Sequence, residues 1–364
     1  MCYLFRMKLC LWGRSAFEYW RDHRGVLPLG ASTLDTAVPA QRSGYADRSG
    51  RFARIEPPAA ESLEDLRVRG MAPHLTAPIN VMAPSAARAR RLDGAVCHVF
   101  GARVPKGAIL DPGTGYCVSS PEFAFLQLAS ELPFAKLVEA GCEMCGSYAP
   151  APDGSSTRYK LRPLTSVAMI EAFLVQTEGC KGVKVARRAL RCVMDKAASP
   201  RETAVALLLS LPERHGGYGI KKPQLNYRID IPSRAKKATR GDFYICDLYW
   251  PEHRLAVEYD SAEFHELRAS VTRDAVKRNA LSYLGVQVVT VTNDQVKGFD
   301  DFDKVAHVVA RATGKAIRSR AAGYDVEVQR ANLREMLLRT APAPEFAGSN
   351  CGFKYPEPEY LDFP

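Results

Sequence analysis

The sharpest alternation of hydrophobic and polar positions lies between residues 199 and 297. "SPRETAVALLLSL" opens a helix, with Ser199 as N-cap, Pro200 at the first helical position and Glu202 placed to close a capping box. "QLNYRIDI" (224–231) reads as a strand, followed by the basic, polar connector "PSRAKKATRGD". "FYICDLYW" and "RLAVEYD" are two more strands around the turn "PEHR". "TRDAVKRNALSYL" has helical spacing and stops at Gly285, and "VQVVTVT" is a last strand. The predicted order is helix, three strands, helix, strand.

Elsewhere the pattern is coarser. "GRSAFEYWRDHR" (13–24) forms a short amphipathic helix with Phe17 and Trp20 on one side, and residues 30–60 have loop composition. Residues 1–70 are therefore expected to be a short helix and a flexible arm. "PINVMAP" and "AVCHVFGARVP" read as strands with "SAARARRL" as a helix between them. "GYCVSS" then runs into two apolar helices, "PEFAFLQLASEL" and "PFAKLVEAGCEMCG", so 71–165 is expected to be a small α/β domain. Residues 166–198 supply two connecting helices. In the second, Lys181, Lys184, Arg188 and Arg191 share one face and Ala186, Leu190 and Val193 the other. That basic face is either a solvated surface or a ridge of phosphate contacts. Residues 298–340 read as C-terminal helices and 341–364 as an extended, Pro-rich tail. The expected fold class is α/β: a C-terminal αβββαβ core with a mixed central sheet, preceded by a smaller α/β and helical region.

Composition narrows the classes of function. A chain of 364 residues with 46% hydrophobic and 25% charged residues is globular, with room for two or three domains. A formal net charge of +10 points to a polyanionic partner such as nucleic acid. No apolar run approaches the roughly 20 residues that span a bilayer. Arg6 and Lys8 interrupt the apolar start, and no small-residue cleavage site follows, so a signal peptide is not expected. The ten cysteines are scattered, which fits reduced thiols in a cytoplasm. "CEMC" (Cys142, Cys145) has no second pair at zinc-finger spacing, and zinc is not expected there.

The chemistry concentrates in the hairpin "ICDLYWPEHRLAVEYDSAEFH" (245–265). Strand alternation groups Asp247 with Phe243, Ile245 and Tyr249, and Glu258 with Ala256 and Asp260. If "PEHR" is the loop, Trp250 faces Leu255 and Asp247 lies opposite Glu258, where like charges repel. Such acids need a cation, a bound proton or neighbouring Lys or Arg. Neither strand carries a base facing them, which favours a divalent ion: Mg²⁺, or Mn²⁺, takes one or two carboxylates and keeps waters for a phosphate. His265, beyond the strand end, could turn back over the patch as a general acid or base.

These residues, in this order of elements, resemble the PD-(D/E)xK nuclease superfamily, and within it the branch around very-short-patch-repair (Vsr) endonucleases. That branch carries an Asp, then a Glu-x-Asp stretch leading to a His, then Asp-x-x-x-Arg on the next helix. Here these are Asp247, "EYDSAEFH", Asp274 and Arg278. Asp260 stands where the superfamily has its lysine, Ser261 replaces the common glycine, and His265 sits one residue late. The resemblance covers about residues 199–297. Residues 71–198 more loosely resemble the N-terminal part of AbiEi-type abortive-infection proteins.

The resemblance implies a restriction-endonuclease-like core and a metal-dependent DNA endonuclease, in defence against foreign DNA or on a mobile element. Asp247, Glu258 and Asp260 would be metal ligands and His265 the acid or base. Glu202 would be an outer acid, although its cap role explains it without catalysis. Lys236, Lys237, Arg240, Arg273, Lys277 and Arg278, with Lys184, Arg188 and Arg191, are candidate phosphate contacts. Asp274 and Arg278, four apart, equally form a surface pair. The alternatives are a non-cleaving DNA-binding regulator of AbiEi antitoxin type, and a protein–protein interaction module.

Overall fold

The computed structural model describes residues 9–25, 46–50, 55–68, 75–113, 115–151, 154–235, 242–260, 268–317 and 324–338. Ser199 accepts a hydrogen bond from the Glu202 N–H, and α7 (Pro200–Ser210) starts where the cap requires. β9 (Gln224–Asp230), β10 (Phe243–Trp250) and β11 (Leu255–Asp260) follow, then α8 (Arg268–Tyr283) and β12 (Gln287–Thr292). Gly285, at φ +74°, ends α8 as a glycine can. The sheet order is β12-β11-β10-β9, antiparallel except for the β11–β12 pair. The protein is thus mixed α/β, as the pattern predicts.

The N-terminal half is built around a six-stranded sheet ordered β2-β5-β6-β1-β3-β4. Its strands are β1 (Cys10–Leu11), β2 (Ala46–Asp47), β3 (Ile79–Ala83), β4 (Ala95–Val99), β5 (Ile109–Asp111) and β6 (Cys117–Ser119). The short helix expected over 13–24 is α1 (Gly13–Asp22), which buries Phe17, Tyr19 and Trp20, whereas β1, expected to belong to an arm, is an inner strand between β6 and β3. Residues 26–45 and 51–54 of the expected arm lie outside the described residues. "SAARARRL" supplies only one 3₁₀ turn, Ala86–Arg88. Between β2 and β3 lies α2 (Ala60–Val68), and no element is described in 69–74.

Helices join the halves. α3 (Pro121–Leu128) and α4 (Phe134–Met144) are almost wholly buried, and a small hairpin of β7 (Ala149–Pro150) and β8 (Thr157–Arg158) follows. α6 (Val183–Leu190) packs beside α4, α5 (Val167–Val175) packs on α3 and α6, and α4 itself packs on α7. Lys184, Arg188 and Arg191 are exposed while Ala186, Leu190 and Val193 are buried, so the two predicted faces are present. α9 (Asn293–Lys297), α10 (Phe299–Ala312) and α11 (Tyr324–Leu338) are the last elements among the described residues, and α11 lies against α4 and α7. One apolar core runs from Leu9 to Leu337 through both halves. Among the described residues no helix is long and apolar enough to cross a membrane.

The turn after α7 holds this arrangement at a close approach. A Cβ on Gly217 would stand 2.0 Å from the Leu211 carbonyl oxygen, a backbone atom that cannot swing away. Gly217→Ala is expected to destabilise the protein by about 2 kcal/mol or more, read as a lower denaturation midpoint in urea.

Candidate active site on the four-stranded sheet

The hairpin register matches the expected one: Trp250 pairs with Leu255, Tyr249 with Ala256 and Leu248 with Val257. The ladder then opens. One step further the Tyr259 N–H donates to Asp247 Oδ2 at 2.9 Å, so the carboxylate takes a backbone donor at the point where the strands part.

The β9–β10 ladder breaks at the same level. Pairs run from Phe243↔Asp230 to Cys246↔Tyr227, skip one, and resume at Leu248↔Leu225. The skipped pair is Asp247 and Asn226, and Asn226 has φ +46°. Across the skip the faces exchange. Tyr227, Ile229, Tyr244 and Cys246 pack in a small cluster with Leu281 and Leu284 from the α8 side, whereas Leu225 and Leu248 join the main core. The regular alternation that groups Asp247 with Ile245 and Tyr249 therefore fails here. Asp247 sits at the crossover, between the side covered by α7 and the side covered by α8.

Both sides send it charges. From α7, Glu202 is held by Ser199 Oγ at 3.0 Å, the Ala198 N–H at 3.3 Å and Asn226 Nδ2 at 2.9 Å. Burial, with the Asp247 charge second, pushes Glu202 up to about 7. The cap role and a place beside the acids are thus both true of this residue. From the other side, Glu258 shares a face with Ala256, and Lys277 of α8 reaches its Oε2 at 2.6 Å. Burial and Asp247 push Glu258 up to about 7, although Lys277 pulls the other way. Asp247 is also raised by burial, against the pull of Lys277 and the Tyr259 N–H.

Lys277 corrects one step of the sequence argument. No base on either strand faces the acids, but α8 crosses the strand ends and supplies one from 19 residues away in sequence. A search confined to the two strands could not find it. Asn226 was also missed, and its signal was readable: an Asn among β-formers tolerates positive φ and interrupts a ladder.

The remaining candidates divide plainly. Asp260 is half-buried, two residues along β11 and paired with Thr292 of β12. The further carboxylate that the Asp247 charge raises is Glu202. Arg278 is exposed on α8. His265, Lys236, Lys237 and Arg240, and the side chains of Arg273 and Asp274, lie outside the described residues. Among the described residues no three His, Cys, Asp or Glu side chains are grouped to hold one metal ion. The donors nevertheless suit a hard cation that needs one or two carboxylates. Glu258 Oε1 is buried and has no hydrogen-bond partner, and Asp247 stands beside it as the charge that most raises it after burial.

No family model matches the chain, and no solved structure matches it. Two uncharacterized proteins of Mycobacterium tuberculosis, from strains CDC 1551 / Oshkosh and ATCC 25618 / H37Rv, are each 28% identical over 154 residues. That stretch is 42% of this chain and 50% of each relative, so the chain spans about half the length of the curated proteins it matches.

Proposed function

We propose that residues 199–297 form a restriction-endonuclease-like unit that hydrolyses phosphodiester bonds in DNA with Mg²⁺ or Mn²⁺, acting in defence against foreign DNA. One observation carries the reading: three half-buried carboxylates, Glu202, Asp247 and Glu258, gather at a break in the sheet with one lysine on Glu258, and a buried Glu258 oxygen is left unpartnered. Burying that much negative charge is costly unless a ligand uses it.

Asp247 and Glu258 would hold the ion, which when bound supplies phosphate polarisation and an activated water. Lys277 can neutralise charge on the scissile phosphate from the α8 side. Glu202, raised to about 7 and not one of the ligands, can take or return a proton. The exposed Lys184, Arg188, Arg191 and Arg278 would hold backbone phosphates.

The test is supercoiled plasmid incubated with the protein and Mg²⁺, Mn²⁺ or EDTA, beside Asp247→Asn. The reading expects metal-dependent nicking in the wild type alone. Cutting that survives EDTA, or equal cutting by Asp247→Asn, would falsify it. Metal affinity should also rise with pH. Carboxylates raised to about 7 hold protons below that value, and an arriving cation must displace them. Titration calorimetry with Mg²⁺ in two buffers of different ionisation enthalpy is expected to show proton release at pH 6.5 and nearly none at pH 8.5.

One feature favours a second reading, a DNA-binding regulator of AbiEi antitoxin type. Lys277 already pairs Glu258, so the acids have a cation without any metal. That reading expects salt-sensitive DNA binding, no nicking with either metal, and an affinity unchanged in Asp247→Asn.

A further inference from the structure

A hollow of about 370 Å³ opens on the α8 side of the four-stranded sheet, at the C-terminal end of α8. Its floor is apolar and aromatic: Ile229, Tyr249, Leu284 and Val286. Tyr249 is fixed by stacking on Tyr227, with ring centroids 4.8 Å apart and planes inclined by 22°. At the rim stand Tyr283, 62% exposed, and Arg254, exposed in the hairpin turn. Among the described residues no carboxylate pairs with Arg254. The one acid of the lining, Asp230, is bound by Arg228 at 2.7 Å and does not neutralise it.

We propose that this hollow is a subsite for one unstacked nucleotide of a bound strand, its base against Tyr283 and the apolar floor and its phosphate on Arg254. The volume is at the lower end of small-ligand sites, where one nucleotide fits and a folded peptide does not. An aromatic face that is half in water and half over an apolar floor is what a base stacks on. A guanidinium free of carboxylates, at the mouth of such a hollow, is a phosphate fork awaiting its anion. Position agrees with this assignment. Lys277 and Tyr283 are both on α8, about 9 Å apart along its axis and about 120° apart around it, so a strand whose phosphate lies at the acids would curve round the helix to reach the hollow. The subsite rests on the nucleic-acid reading of the acid cluster and adds the form of substrate: a strand with at least one unpaired base.

The full-length protein would be titrated with deoxyadenosine 5′-monophosphate, with adenosine and with inorganic phosphate, by saturation-transfer NMR and calorimetry. Binding of the monophosphate is expected, with adenosine and phosphate each at least tenfold weaker. Arg254→Asn, which keeps a residue tolerant of φ +47°, and Tyr283→Ala should each weaken the monophosphate at least tenfold. With a single-stranded oligonucleotide both variants should raise KM and leave kcat unchanged. No binding by the wild type at millimolar concentration, or equal binding by both variants, overturns the subsite. Metal-dependent nicking with a KM indifferent to both variants overturns it while leaving the hydrolytic site standing. Nucleotide binding that both variants weaken, in a protein that never cuts, keeps the subsite and removes the hydrolase.

Discussion

Glu258→Gln should abolish metal-dependent nicking and, at pH 8, make the protein more stable than the wild type. The two effects have one cause. In the folded protein the Glu258 carboxyl is raised to about 7 by burial and by Asp247, whereas in the unfolded chain it returns to an ordinary value near 4.3. The folded state therefore holds this proton more tightly. Its contribution is fully present below about pH 4 and is lost as pH rises through about 7. At pH 8 the folded state carries an ion it would rather not bury. A glutamine fills the same space, cannot ionise and removes that cost, while the nearby Asp247 charge still favours the charged form of Lys277. We expect a gain on the order of 1–2 kcal/mol at pH 8 that shrinks toward pH 5 and vanishes below about pH 4. Activity should fall by about 10³-fold or more, since a neutral amide is a poor ligand for a hard cation. Thermal melts at pH 5 and pH 8, run beside the plasmid assay, separate the possibilities. A variant less stable than wild type at both values, still cutting DNA, would mean that Glu258 is a structural ion-pair partner and nothing more. Stability recovered on losing a functional charge is the usual signature of a site maintained against folding.

Much of this site was legible because its signals are local. Ser199, Pro200 and Glu202 mark a helix start within four residues, Gly285 marks a helix end, and the β10–β11 register followed from one assumed loop. The order α7, β9, β10, β11, α8, β12 came from such signals alone. What escaped depends on packing at a distance. Lys277 meets Glu258 only because α8 folds back on the sheet beside β12, and helical spacing gives the face a lysine occupies without naming its neighbour. The exchange of faces at Asp247 needs both strands at once: Asn226 on β9 and Asp247 on β10 leave the ladder together. In the N-terminal sheet the difficulty is length. β1 and β2 have two residues each, too few to show alternation, so Cys10 and Leu11 looked like the start of an arm although they are buried between β6 and β3.

That inner position makes residues 9–25 part of the foundation, and Arg24 is where it should fail most visibly. Its side chain is 4% exposed and donates to four backbone carbonyls, those of Glu143, Gly146, Tyr148 and Arg162. Three of these lie at or just after the C-terminal end of α4, where carbonyls have no partners within the helix. Arg162 follows β8, and its N–H returns the contact by donating to the Gly25 carbonyl. Burial lowers Arg24 to about 10, with the nearby Glu143 opposing, so the guanidinium still carries its charge at neutral pH. Arg24→Met keeps the length and the apolar stem but takes the guanidinium donors from all four carbonyls, of which Glu143 O keeps the Gly146 N–H at 3.1 Å. Each orphaned buried acceptor costs about 1–3 kcal/mol, less whatever the loops recover by relaxing toward water. A loss of about 4–5 kcal/mol is expected, enough to remove a large part of a typical domain's stability. Because α4 packs on α7, whose first turn carries Glu202, the damage should reach the acid cluster. Urea unfolding of Arg24→Met, followed by tryptophan fluorescence, should show a lower midpoint, whereas Arg24→Lys, which keeps one cationic head and loses the fork, should fall between. Equal midpoints for wild type and Arg24→Met would mean that the end of α4 is held by something other than this guanidinium.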